Sequence, residues 1–355
     1  MGTHHVIRPW ESALFRRCRR AWDLGARERQ DYEPVEPAGV FDFDEAVREA
    51  LEVYYFPGMW DWDRVIVRPL AVKAFDKSMW RQRAAYEQHR ELSAEQRRDF
   101  EERLEQGADL LARYFDWALE VDRFTPIQVA AQFDVTIPDP DSPGDGLTTP
   151  DGRGIWYRVR VDMVVMDEHE LYWLVEHRVA DPAWRDLDEL LLDEQSLTRS
   201  WAWQLGFLGD LEGTIHTELR PGASHAAETT DVAAHDGPSG FIIAHRSESF
   251  RRTEIPRGPT ELHRRGVEVA LETKDMIDPA LRVYPNPVWE HCAVCAYRSP
   301  CIAMTQGLDE RLILEQSYRR RSGPEFEPGR LGSVWGFVPD VYRVAEHRAP
   351  GGGGG

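Results

Sequence analysis

The sequence predicts an α/β fold, a mixed sheet flanked by helices. Three observations carry that expectation. Apolar residues recur at helical spacing through the first third of the chain, the period switches to strand alternation near residue 126, and a long helical segment follows two adjoining strand-like runs. A chain of 355 residues buries a large core, as one elaborate domain or two small ones.

The elements follow in order. Residues 10 to 29 read as a basic amphipathic helix starting near Glu11 or Ser12. "FDFDEAVREALEVYY" is a second helix, with Val47, Leu51 and Tyr54 on one face. Residues 64 to 120 are helical and charge-rich, with Leu104, Leu111, Tyr114 and Phe115 at helical spacing. "PIQVAAQFDVTI" then alternates as a strand and ends in the turn-rich "PDPDSPGDGLTTPDGRG". "IWYRVRVDMVVM" and "LYWLVEHRVA", joined by the polar "DEHE", form a hairpin, and "LDELLLDEQSLTRSWAWQLGFLG" is the helix after it. The small-residue stretch "RPGASHAAETTDVAAHDGPSG" is expected as a surface loop before the strand "FIIAH", and residues 258 to 277 as a helix. "RRRSGPEFEPGR" reads as a linker, and the terminal glycine run carries no fold content. With no internal repeat and no clean boundary, one domain is expected over residues 1–320. It comprises a helical part at 10–125, a core at 126–245 and a C-terminal helix with a cysteine segment at 258–305; a linker and tail occupy 321–355.

Composition narrows the function classes. Charged residues make up 30 % and hydrophobic ones 42 %, as in ordinary soluble globular proteins. The first residues lack the apolar core of a signal peptide and no apolar run is long enough to span a bilayer, so a cytoplasmic protein without a membrane is expected. In that reducing compartment the four cysteines are free thiols or metal ligands rather than disulfides. A net charge of −19 argues against a broad nucleic-acid-coating surface and leaves room for a local basic groove. The only lysines are Lys73, Lys77 and Lys274, so nearly all positive charge is arginine.

Two constellations carry chemistry. "EHCAVCAYRSPC" places Cys292, Cys295 and Cys301 in a C-x2-C-x5-C spacing on a compact turn, and the fourth cysteine, Cys18, lies near the other end. Four unconnected thiols do not explain three in a dozen residues; a metal centre does, and the spacing alone fits zinc as well as iron–sulfur. The hairpin holds Asp162 on its first strand and Glu176 in "VEHR" on its second. Two carboxylates so placed hold Mg²⁺ or Mn²⁺, which polarises a phosphate and activates water. Acidic–x–basic triplets are common on solvated strands, but these strands are apolar enough to be buried, and a buried carboxylate needs a partner or a metal.

Together these features resemble the RecB-like members of the PD-(D/E)XK nuclease superfamily that carry an iron–sulfur cluster, as in AddB-type and CRISPR-associated exonucleases. The resemblance spans roughly residues 10 to 305. Its most specific part is one early cysteine, Cys18, followed by the late trio Cys292, Cys295 and Cys301. It implies a restriction-endonuclease-like mixed sheet with a helical lobe stapled by a structural 4Fe–4S cluster on those four residues. It also implies a Mg²⁺- or Mn²⁺-dependent DNA exonuclease acting on ends or single strands. Asp162 and Glu176 would hold the metal, Arg178 would stand at the D/E-x-K lysine, and Gln195 would support the site from the next helix.

The departures fall on the chemistry. Arg178 replaces the lysine, Arg48 stands where the family has a metal-binding histidine, and Arg199 follows Gln195 by four residues where tyrosine is usual. A guanidinium prefers a bidentate carboxylate, and one at the histidine position puts a cation where a cation should bind. The expectation is therefore that Arg48 and Arg178 pair with Asp162 and Glu176 in the metal's place, weakening or abolishing cleavage. The alternative product of the same fold is a non-catalytic DNA- or protein-binding iron–sulfur protein. A migrated lysine, Lys73 or Lys77, could restore the missing charge.

Other features have plainer readings. Arg16, Arg17, Arg19 and Arg20 around Cys18, and Arg319, Arg320 and Arg321 after the trio, suit phosphate contacts or a solvated face equally. "YYFPGMWDWD" and "RSWAWQLG" suit core packing better than base stacking. His169-Glu170 lacks the second histidine of a zinc protease, and there is no Walker A loop, G-x-S-x-G elbow or dinucleotide fingerprint.

Overall fold

Capping and apolar spacing fix the helices of the computed structural model, which describes residues 4–180, 183–207, 211–222, 230–237 and 240–321. After β1 (His4–Ile7), the helix expected over 10–29 is two helices, α1 (Pro9–Arg17) and α2 (Arg19–Gly25). Cys18 stands between them in an extended conformation, closing one and opening the next. β2 (Tyr32–Pro34) leads to α3 (Phe43–Tyr54), where the Asp42 side chain accepts from the Glu45 N–H and Ala46, Val47, Ala50, Leu51 and Tyr54 form the buried stripe. α4 (Arg64–Glu87) and α5 (Ala94–Val121) follow, the latter opened by a reciprocal Ser93–Gln96 capping box. Gly107 lets these two helices close: a Cβ there would lie 2.0 Å from Cζ of Phe75.

The strand-rich half comprises β3 (Phe124–Thr136), β4 (Gly154–Asp167), β5 (Tyr172–Val179), α6 (Leu187–Leu191), α7 (Glu194–Gly206) and β6 (Leu211–Leu219). Then come β7 (Thr230–Gly237), β8 (Gly240–Arg246), β9 (Phe250–Pro256), α8 (Pro259–Ile277), α9 (Trp289–Ala293), α10 (Arg298–Thr305), α11 (Arg311–Ser317) and β10 (Tyr318–Arg320). The sheet runs β1-β4-β5-β6-β9-β8-β7, with β3 on the other edge of β4. β4 and β5 form the expected antiparallel hairpin, and the α6–α7 crossover brings β6 parallel to β5. This is the mixed α/β sheet flanked by helices that the periodicities predict.

Strand alternation sends side chains to two cores. Trp173 and Val175 of β5 pack with α3, α4 and α5, whereas Leu174 packs on the opposite face with α1, α2, α7 and α8.

Two expectations change. Part of the surface loop expected over residues 220–240 is β7, antiparallel to β8. It has no apolar alternation to announce it; pairing of backbone groups along the β8 edge forms it. Arg319 and Arg320 belong to β10, which pairs antiparallel with β2, so the linker does not begin at residue 319. Arg321 is tied in as well, donating to the Gly25 carbonyl at 2.6 Å. The rest of the expected linker and tail, residues 322–355, lies outside the described residues. Among the described residues, no helix is long and apolar enough to cross a membrane.

Candidate active site

Asp162 and Glu176 come together because the hairpin register puts them one step beyond the paired Met163 and Val175. The Asp162 Oδ2 accepts the backbone N–H of His177 at 3.0 Å, which fastens the carboxylate across the strands. On the other edge of β4, register places Ala130 opposite Asp162, and Ala130 has a φ of 49° in the left-handed region. The phase of β4 breaks at the same point, Val161 packing into one core and Met163 into the other. A kinked strand thus presents Asp162.

The charge balance around the pair is arginine. Glu176 is 6 % exposed, and Arg199 Nη1 lies 2.7 Å from its Oε1. Burial raises the Asp162 pKa, but Arg199, Arg48 and His177 outweigh it and hold the carboxyl below its ordinary value. Burial works against the Arg199 charge too, and Glu176 and Asp162 overcome it, so the guanidinium is held charged. Arg48 Nε sits 3.0 Å from Asp44 Oδ2; Asp162 and Asp44 together offset its burial. Asp44 itself is fixed by the Val179 N–H at 2.6 Å.

The expected pairing is therefore corrected in one partner. Arg48 does lie in the field of Asp162, although its direct ion pair is with Asp44. Arg178 is exposed, and it is Arg199 that takes Glu176. The reason is geometric: α7 packs over the face of β5 that carries Glu176, so a side chain one turn into the helix reaches the carboxylate. Arg178, two residues further along the strand, passes the helix N-terminus. Gln195 occupies that first turn, where its backbone N–H donates to Asp193 Oδ1 at 3.0 Å and its side chain is exposed. Arg178 and Gln195 line a cleft of about 560 Å³ with Arg16, Arg185, Thr198 and Arg265. Three of those cations are already engaged: Arg16 meets Glu194 and Glu272 at 2.6 and 2.5 Å, Arg185 meets Asp193 at 2.7 Å, and Arg265 meets Glu194 at 2.7 Å.

Behind the site lies a buried network that the sequence pattern does not announce. His177 stacks on Tyr55 with ring centroids 5.7 Å apart, and the Tyr55 hydroxyl meets Tyr114 at 2.8 Å and Asp122 at 3.1 Å. Asp122 pairs with Arg252 at 2.5 Å, whose side chain is 1 % exposed. Burial lowers the His177 pKa to about 4, with Asp162 opposing and Arg252 and Arg48 reinforcing the shift. Lys73 and Lys77 are exposed on α4, away from its buried Ala71–Phe75–Met79 stripe. Nothing places either at the carboxylates, so neither restores the missing charge.

Three of the four cysteines, Cys18, Cys295 and Cys301, are neighbours although they come from opposite ends of the described chain. Cys18 and Cys295 pack against the same core. Burial raises the Cys295 pKa, and Cys18 and Cys301 contribute in the same direction. Asn286 N–H points at Cys18 Sγ (3.4 Å) and Arg20 Nη1 at Cys301 Sγ (3.6 Å). Cys292 lies in the last turn of α9, and its carbonyl accepts the Cys295 N–H at 3.4 Å. The four cysteines do not converge on a centre: among the described residues, no three His, Cys, Asp or Glu side chains adopt a metal-holding arrangement. The neighbouring arginines are used internally, Arg20 on Thr305, Arg319 on Glu33 and Arg321 on Asp31.

No family model and no curated protein matches the chain. Among solved structures, it is similar to one described as the crystal structure of SSO0001, over 72 % of this chain and 84 % of that one, at 12 % identity and a TM-score of 0.28. At that score the likeness carries no argument.

Proposed function

We propose that the chain is a nuclease-like, DNA-binding protein of the RecB-like PD-(D/E)XK type in which arginine holds the metal position, so that cleavage is lost or strongly weakened. The observation that carries this reading is the 2.7 Å contact between Arg199 and Glu176, with Asp162 in the field of the same guanidinium. A divalent ion needs both carboxylates and an open position for the attacking water. A guanidinium supplies the positive charge and no such position. For an ion to enter, the buried Arg199–Glu176 pair must break, which leaves an unpaired charge out of water.

The resemblance also assigns Cys18, Cys292, Cys295 and Cys301 to a structural 4Fe–4S cluster. The proximity of Cys18 to Cys295, and of Cys295 to Cys301, is what supports that assignment. Such a cluster would fasten those ends and add no chemistry at Asp162.

The test is cleavage of end-labelled single- and double-stranded DNA with Mg²⁺ or Mn²⁺. The native chain is expected to yield no more product than Glu176→Ala. Efficient, metal-dependent cleavage that disappears in Glu176→Ala contradicts the proposal.

A further inference from the structure

A single row of side chains crosses the sheet from the cleft. Register aligns Arg178 of β5 with Glu218 of β6, Glu218 with Arg251 of β9, and Arg251 with Arg246 of β8. Residues directly opposite across strands share a face, so three arginines and one glutamate lie side by side over three strand spacings, roughly 14 Å.

Glu218, 2 % exposed, organises this row. Its carboxylate pairs with Arg251 and accepts the Arg185 N–H at 3.1 Å. That contact fixes the segment carrying Trp184. Three guanidinium carbons then surround the Trp184 ring: Arg251 at 5.6 Å, Arg220 at 5.9 Å and Arg246 at 6.0 Å from its centroid. Arg220 and Arg246 have no carboxylate partner among the described residues, and Arg178, exposed at the end of the row, lies in the field of Asp44.

This concentration of charge is costly as it stands. Like charges directly opposite in a sheet repel, as Arg246 and Arg251 are placed to do. The one buried glutamate is committed to Arg251. An aromatic face among unpaired guanidiniums, in a chain of net charge −19, is an arrangement completed by an anion that also carries flat rings.

We infer that the Arg178–Arg251–Arg246 row with Arg220 and Trp184 is a track for a single nucleic-acid strand, phosphates on the arginines and one base stacked on Trp184. The strand leaves the cleft at Arg178 and runs toward β8. The inference rests on the strand-binding part of the reading above and needs neither metal nor cleavage.

The experiment measures anisotropy of a fluorescein-labelled oligo-dT with the full chain, in EDTA and over a series of salt concentrations. Binding is expected to weaken with salt, and Trp184→Ala and Arg220→Glu/Arg246→Glu are each expected to weaken it about tenfold or more. Trp184→Phe, which keeps a stacking face, is expected to retain most of the affinity and serves as the folding control with circular dichroism. Binding is read in EDTA, so Mn²⁺-dependent cleavage by the native chain would overturn the arginine-held site without touching the track, and the two failures give different results. Absence of binding at low salt, or binding unchanged in the Trp184 and double-arginine variants, overturns the inference. Equal displacement by polyglutamate also overturns it, since that marks an acidic-polypeptide surface.

Discussion

Arg199 of α7 and Glu176 of β5 form an ion pair, 2.7 Å between Nη1 and Oε1, with side chains only 18 % and 7 % exposed. The pair sits where the hairpin also brings Asp162, so one helical side chain lies in the field of both strand carboxylates, with Arg48 adding charge at Asp162. Fold and proposed chemistry meet at this contact: it ties α7 to the sheet and, in the reading proposed above, stands where a divalent ion would bind.

Removing one partner should therefore cost far more than removing both. Arg199→Met leaves Glu176 buried and unpaired, and should destabilise the protein by about 3–5 kcal/mol in urea denaturation. The double variant Arg199→Met/Glu176→Leu should recover much of that loss. Additive losses in the cycle would show that the two side chains are not coupled.

The network behind the site makes a parallel prediction. Arg252 is almost wholly buried and has Asp122 as its carboxylate. Asp122→Asn should cost about 3–5 kcal/mol, and Tyr55→Phe, which removes the hydroxyl that bonds Tyr114 and Asp122, only about 1 kcal/mol. Chemical denaturation of both variants gives the ranking; a larger loss for Tyr55→Phe would contradict it.

Stability should also fall on the acid side. His177 is held at about 4 against an ordinary 6.5, and burial also takes His216 to about 4. A depressed value means that the unfolded chain takes up the proton first. Their contribution is thus complete above pH 6.5 and is lost as pH falls from there through 4. Asp162, also depressed, adds a loss at still lower pH. Within that window His177→Gln should reduce the slope of stability against pH by about 1.4 kcal/mol per pH unit. An unchanged slope would mean that His177 is not buried in its neutral form.

Gly107→Ala improves helix propensity yet should destabilise, because the new methyl meets the Phe75 ring. A loss of about 1–3 kcal/mol is expected, with partial rescue by Phe75→Leu. Thermal melting of the single and double variants decides it.

Iron, sulfide and zinc content of anaerobically purified protein tests the cysteine assignment. Iron and sulfide lost in Cys18→Ser support it; zinc, or no metal, removes the cluster from the account.

Much of this fold is legible in the sequence because the burial patterns are periodic. Val47, Leu51 and Tyr54 mark α3, and the alternating runs mark β3, β4 and β5. β7 is not legible, since edge pairing forms it from small and polar residues. The break at Cys18 is equally hidden, because the helical spacing continues through it. In the site, Asp162 and Glu176 follow from two charges set in apolar strands, but their partner does not. Arg178 is adjacent in sequence, whereas Arg199 is chosen by how α7 packs on β5, a tertiary relationship. The one available signal is its place four residues after Gln195, on the same helix face. Asp122 and Arg252, 130 residues apart, carry no local signature at all.

Calorimetric titration with Mn²⁺, on the native chain and on Asp162→Asn, tests the central claim most directly. If arginine holds the metal position, the two titrations coincide and show no binding assignable to Asp162 and Glu176. Tight Mn²⁺ binding to the native chain that is lost in Asp162→Asn would show that the carboxylates are free to hold a metal and that the Arg199–Glu176 pair does not exclude it.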